Sequence, residues 1–236
     1  MFEFFSFIFN TVLYQPILNL LIWLYGLVNN FGLAIIILTL LIKALLNPLN
    51  KKALESQKMM AEIQPRIKEI QNKFKDTEKQ GRELLNLYRE TKFNPFSGIF
   101  LLLVQLPVLW ALFKVFQSGL NLETISSLIY SFVPLPATIN PSFLGINLAQ
   151  PNIALALITA IAQYVQVKKA APQVKPEQGQ DQMEQVSQMI QKQTTFFIPA
   201  FTFFVLFSLP AAIALYWILT TILSIIQQRQ VFNKKA

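Results

Sequence analysis

The sequence predicts an all-α polytopic membrane protein with five transmembrane helices, an N-terminal interfacial helix and a cytoplasmic helical hairpin. Three observations carry this. The chain of 236 residues is 53% hydrophobic, holds 21 Phe and has a mean hydropathy of +0.44. That is too apolar for an ordinary soluble domain, and several runs are long enough for membrane helices. The basic residues are unevenly placed: eleven lie in 49–95, four in 168–193 and three after Gln227, with none in 1–27 or 117–150. The remaining two, Lys43 and Lys114, sit inside apolar runs.

The N-terminal segment, 1–27, opens on Phe2, Phe4, Phe5, Phe7, Ile8 and Phe9. Val12, Leu13, Ile17, Leu20, Leu21, Leu24 and Val28 follow at helical spacing. The run Ile17–Val28 falls short of the roughly 20 residues of a span, which favours a helix lying in the interface, with a first transmembrane span as the alternative. Met1–Asn10 lacks a basic stretch, so the first membrane span is expected to act as an uncleaved targeting signal.

Span one is read over 28–48, ending at Pro48. Segment 49–95 is different in kind. Its stripes Ile63, Ile67, Ile70, Phe74 and Leu84, Leu87, Tyr88 predict two amphipathic helices joined at Asp76-Thr77. Pro65 is expected to interrupt or kink the first arm, and Glu62–Arg66 and Glu69–Lys73 to pair along it. Span two covers 96–116, with Gln105 and Pro107 inside and Lys114 reaching outward near its end. An external loop with a short helix follows at 117–150. Then come span three (151–167), a cytoplasmic loop (168–194, with Pro172 and Pro176), span four (195–209), span five (210–228) and a basic tail (229–236, with Arg229, Lys234 and Lys235). The positive-inside rule puts both polar loops and the C-terminus in the cytoplasm and the N-terminus outside. It also accounts for the net charge of +8 without specific nucleic-acid binding.

The absence of Cys and His excludes disulfides and thiolate sites and removes the commonest metal ligand and general base. No Asp or Glu lies in any span, which argues against proton-coupled transport. No enzyme chemistry, metal or cofactor is expected. What the spans do carry is polar residues at helical spacing: Thr39, Lys43 and Asn47; Gln105; Thr159, Gln163 and Gln166; Thr195 and Thr202; Trp217, Thr220, Thr221, Ser224 and Gln227. These suggest a shared polar interior. Thr39, Lys43 and Asn47 are spaced i, i+4, i+8, one stripe if the helix is continuous. A charge at mid-membrane costs about 2.5–3.5 kcal/mol, so Lys43 either snorkels to headgroups or faces a wet cavity. Spans three to five are short for a roughly 30 Å core, consistent with local thinning of the bilayer.

The order of these features is itself informative. A lysine-bearing span ends Lys43-Ala44-Leu45-Leu46-Asn47-Pro48 and leads into a basic hairpin. Asn94-Pro95, Gln105-Leu106-Pro107, the Pro199 and Pro210 spans, Leu215-Tyr216-Trp217 and Ile225-Ile226-Gln227-Gln228 follow. The ordered set, covering nearly the whole chain, resembles the bacterial YidC-type membrane protein insertases of the YidC/Oxa/Alb family. The resemblance implies five helices around a hydrophilic groove open to cytoplasm and lipid and closed outside. It places Lys43 where the family usually has arginine, as the cation that receives polar client segments. Thr39, Gln105 and Trp217 match other groove-lining or client-contacting positions. Pro210-Ala211-Ala212 departs from a common Pro-Ser-Gly turn. The implied function is a membrane protein insertase and chaperone of the bacterial plasma (inner) membrane. Its implied partners are nascent membrane protein clients and the lipid bilayer, with the Sec translocon, ribosome and targeting factors as further candidates. A channel or transporter, or an assembly factor dedicated to one complex, are the alternatives.

Overall fold

The structure, a computed structural model, describes residues 2–74, 76–94, 97–118, 121–170 and 182–233. Pro95, Pro172, Pro176, Lys234 and Lys235, singled out above, lie outside the described residues.

The N-terminus is helical from Phe2 to Val28 in three pieces: α1 (Phe2–Phe9), a π-helical turn (Asn10–Tyr14) and α2 (Gln15–Val28). Pro16 has no N–H for the carbonyl four residues back and its ring crowds that carbonyl, which is where the wider π turn forms. The helix is longer than the apolar run suggested. Ser6–Val28 is 23 residues and apolar enough to cross a membrane, so length no longer argues for the interface. Several of its side chains nevertheless bond to one end of the molecule. Gln15 Nε2 and Asn19 Nδ2 donate to the Leu128 carbonyl at 3.0 and 2.9 Å. Asn19 Oδ1 accepts from the Tyr130 amide at 2.7 Å, and the Tyr25 hydroxyl from the Asn140 amide at 2.9 Å. Asn29 closes α2 in the left-handed region (φ 49) and Asn30 caps the next helix through Leu33 N–H.

That helix, α3 (Phe31–Leu45), meets α4 (Asn47–Lys73) at Leu46 with a 64° bend. Pro48 cannot donate to the Ala44 carbonyl and displaces it, so the turn falls there. The expected 28–48 span therefore stops three residues early, and Asn47 belongs to α4. Pro65 lies inside α4 without ending it, so of the two expected effects, interruption or a kink, the interruption does not occur. α5 (Thr77–Glu90) folds back, its N-cap Asp76 accepting from Glu78 N–H. The hairpin has its own small core of Ile63, Ile67, Leu87 and Phe93, flanked by Ile70, Leu84 and Tyr88. These are the two predicted stripes facing each other. The predicted Glu62–Arg66 pair gives way to a cross-hairpin pair, Arg66–Glu90 at 2.9 Å, while Glu62 pairs with Lys58 at 3.9 Å.

α6 (Ser97–Ser118) packs on α4 and the π turn. α7 (Leu122–Ser126) and a two-stranded antiparallel hairpin, β1 (Ser142–Phe143) and β2 (Ile146–Asn147), build the loop over one end. Its turn, Leu144-Gly145, has positive φ at both residues (51 and 79), the form that matches strand twist. α8 (Ile153–Ala170) pairs with α9 (Gln182–Phe207), and α10 (Ala211–Asn233) packs against α3, α4, α6, α8 and α9. The expected polar loop 168–194 is thus helical from Gln182 onward. Among the described residues two helices are long and apolar enough to cross a membrane, Ser6–Val28 and Ala211–Asn233. The bent pair α3–α4 makes a third if counted as one span, and Thr195–Phe207 is a shorter apolar stretch.

The two ends of the bundle differ. At the loop end, Ile125, Val133 and Leu148 are buried with Tyr14, Leu18, Phe31 and Phe116 in the main core. Phe143 lies so close over Gly32 that a β-carbon there would overlap its ring. The first amides of α10, at Ala211 and Ala212, donate to Gln150 and Leu148 carbonyls, satisfying a buried helix start. Lys114, near the same end of α6, donates to Asn10 at 2.8 Å and sits 4.4 Å over the Tyr14 ring.

Candidate functional site

The opposite end, at the α3–α4 elbow, is polar. α3 and α10 run parallel there and are joined twice. Lys43 Nζ donates to Ser224 Oγ at 2.9 Å, and one turn on Gln227 Nε2 donates to Asn47 Oδ1 at 2.8 Å. Ser224 in turn donates to the Thr220 carbonyl at 2.7 Å, which leaves its oxygen aimed at the lysine. A cavity of about 410 Å³ opens beside these links. Lys43, Asn50, Gln57, Gln166, Ser224 and Gln227 give it polar walls, and Met60 and Phe93 give it apolar ones. Among the described residues no carboxylate lines it. A second cavity, of about 690 Å³, lies along another face of α4. Its charged residues neutralise each other in pairs, Lys51–Glu55 and Lys58–Glu62, each at 3.9 Å. Among the described residues no carboxylate comes within ion-pair distance of Lys43.

The four sequence-predicted site residues separate. Lys43 is half-buried in the elbow cavity, pinned rather than reaching past the helix end. Thr39, one turn deeper, is 0% exposed and its hydroxyl donates to Ile35 O at 2.6 Å. It belongs to the packed core, because the spent hydroxyl and a filled α3–α10 seam leave nothing to face a cavity. Gln105 Nε2 donates to the Tyr216 hydroxyl at 2.9 Å, and Trp217 is half-buried against the main core. By helical rise these lie roughly 10–12 Å further in than Ser224. Trp217, Thr220, Ser224 and Gln227 fall on one face of α10, so a polar line runs from the elbow toward the Gln105–Tyr216 pair. Thr159 and Thr202, also counted toward a polar interior, donate to the carbonyls four residues back, Leu155 and Ile198, and are buried.

Sequence reading missed Asn50 and Gln57. Composition had assigned both to a solvated hairpin, and only the bend at Leu46 turns that part of α4 back against α10. The signal was Pro48, read as a terminator without its angular consequence. Four buried side-chain atoms have no partner among the described residues: Asn50 Nδ2, Gln163 Oε1, Gln227 Oε1 and Gln228 Oε1. Two belong to residues lining the elbow cavity.

Residues 23–236 match the family model described as 60Kd inner membrane protein. The chain belongs to that family. It is 32% identical over 223 residues to the "Membrane protein insertase YidC" of Syntrophobacter fumaroxidans, covering 92% of this chain and 37% of that protein. The YidC of Wigglesworthia glossinidia brevipalpis is 30% identical over 221 residues, covering 93% of this chain and 36% of that protein. The chain thus spans little more than a third of these relatives' length. A crystal structure of an active YidC insertase, with its first transmembrane domain resolved, superposes with a TM-score of 0.63 at 26% identity. That match covers 96% of this chain and 47% of the other. The resemblance read from the ordered motifs is borne out, and with it the all-α membrane fold. Family and apolar helices together make this a multi-pass protein of the bacterial inner membrane.

Proposed function

We propose that the chain is a membrane protein insertase and chaperone. The elbow cavity, on this reading, receives the polar segment of a nascent client. The observation that carries it is the difference between the two ends: at the elbow a polar cavity with a cation that has no carboxylate partner among the described residues, and an apolar plug under the loop 121–150. A chain entering from the elbow end exchanges part of its hydration for the cavity's polar groups before it meets the dry part of the path. Moving its backbone and charges through hydrocarbon unaided is what opposes translocation. The client's apolar segment then partitions into lipid, which drives the reaction. α3 rises only about 22 Å, so the dry path is also short. No covalent chemistry enters this mechanism.

The basic hairpin continues directly from the elbow, so the positive-inside rule orients the elbow and C-terminus to the cytoplasm. α1 and α2 then lie outside. Asn10 touches the loop end of α6, Tyr25 packs edge-on against Phe31 at the loop end of α3, and the residues between bond to the loop itself. A crossing helix would place one of its ends near the elbow, so the interfacial position is favoured. Lys43 acts as the groove cation, with Gln105 and Trp217 deeper along the client's path and Thr39 as packing behind them. The Sec translocon, ribosome and targeting factors are partners suited to the basic cytoplasmic hairpin.

The test is insertion of a single-span client into vesicles carrying the purified chain, read as protease protection of its tail. Protection no better than in empty vesicles would refute the reading. A channel would instead pass ions across a planar bilayer, which the plugged end forbids.

A further inference from the structure

We propose that the elbow cavity binds the peptide backbone of uncharged polar segments, with Asn50, Gln57, Gln166 and Gln227 as its hydrogen-bonding groups. This rests on the insertase reading and names a substrate class that the charge of Lys43 does not explain. Among the described residues the cavity lining offers one cation and no carboxylate but four carboxamides, from α4, α8 and α10. Their hydrogen-bonding capacity is largely unspent. The side chains of Asn50, Gln57 and Gln166 bond to none of the described residues. Gln227 uses its nitrogen on Asn47 and leaves its oxygen unpartnered. Asn50 is only 4% exposed, so its unpaired amide is held in a place where leaving it unpaired is costly.

A carboxamide has the peptide group's own chemistry, a donor and an acceptor side by side without charge, and either orientation of the amide keeps both. It pairs with a backbone peptide whatever the side chain. Asn50 and Gln57 are two turns apart on one face of α4, a rise of roughly 10 Å, which matches about three residues of extended chain. The volume holds on the order of a dozen waters at ~30 Å³ each, and an entering chain exchanges these for the carboxamides. A phosphate or an anionic headgroup would call for several cationic donors, and among the described residues the lining has one. Lys43 then selects acidic segments, while the carboxamides hold any segment whose backbone is exposed.

The experiment uses the purified full chain in vesicles with three synthetic single-span peptides that differ only in the translocated tail. One tail is built of Ser, Asn and Gly, one contains Asp and Glu, and the third is the neutral tail with N-methylated backbone amides. The variants are Asn50→Leu/Gln227→Met, which keep the approximate shape of each side chain, and Gln57→Leu, a half-exposed site on α4 that leaves the core intact if the double variant fails to fold. Insertion of the neutral tail falls about tenfold in the double variant, the effect of losing two net hydrogen bonds, and about threefold in Gln57→Leu. The acidic tail, which has the same backbone, falls by a similar factor, and the N-methylated tail, which keeps its carbonyls but has lost its N–H donors, falls less than either. Equal losses for all three tails, or no loss for the neutral tail in Gln57→Leu, overturn the proposal. So does recovery of the loss on raising the anionic lipid content, which assigns the cavity to a headgroup. Failure of the wild-type chain to insert any tail refutes the insertase reading itself, and this proposal with it.

Discussion

Lys43→Gln removes the one cation that lines the elbow cavity among the described residues while keeping a donor for Ser224, so geometry is disturbed little and charge is lost. A client carboxylate meeting Nζ at about 4 Å in surroundings of effective dielectric about 20 gains about 4 kcal/mol of gross Coulomb energy. Lys43 is half-buried and already spends one donor on Ser224, so part of this is lost to solvent and to the displaced bond. The net value of a charged hydrogen bond, about 2 kcal/mol, is the better figure. That predicts about 30-fold slower insertion of a client with an acidic tail and little change for a neutral one. Lys43→Arg keeps most of the activity because it keeps the charge, although its planar fork fits the Ser224 oxygen less simply. Lys43→Glu is worst for acidic tails, since attraction becomes repulsion. Moving the charge one turn, in Thr39→Lys/Lys43→Thr, does not rescue: position 39 is fully buried and its hydroxyl bonds to Ile35. The assay is insertion of paired clients differing only in their acids, with membrane abundance of each variant matched. Equal insertion of both clients by Lys43→Gln refutes the electrostatic role.

Other expectations follow from the geometry. Gly32→Ala drives a β-carbon into the Phe143 ring and destabilises by about 1–3 kcal/mol, and Phe143→Ala in the same chain relieves it; thermal unfolding in detergent reads both. Lys92 holds φ 53 in the cap of α5, where Phe93 N–H bonds to Tyr88 O, so Lys92→Gly stabilises the hairpin by about 1 kcal/mol, seen as slower hydrogen exchange in α5 without change in α10. In intact cells a cysteine at the exposed hairpin tip Leu144 reacts with an impermeant thiol reagent and one at the exposed Leu85 does not; the reverse pattern refutes the assigned orientation.

The hairpin core shows how far local pattern reaches. Ile63, Ile67, Leu84 and Leu87 recur at helical spacing within two segments joined by Asp76-Thr77, and periodicity plus a capping residue suffice to bring them face to face. The same holds for the family: a lysine in an apolar run, followed by Pro48, Gln105, Pro107 and Tyr216-Trp217 in that order, is a linear signature. What periodicity cannot supply is direction. Thr39 and Lys43 share a stripe, yet one is sealed in the core and the other faces a cavity, because the bend at Leu46 opens the seam between them. A 64° turn depends on where the displaced Ala44 carbonyl and the following helix find room. That is settled by α6 and α10, which pack against α4 from far along the chain. Asn50 and Gln57 read as solvent-facing for the same reason, since hydropathy scores a residue and not the helix that folds back over it. Local pattern was enough for the hairpin, the family and the lysine, though not for the helix from Gln182 to Gln193 that reads as a polar loop; only tertiary packing decided which polar groups were spent inside helices and which were left unpaired around the elbow.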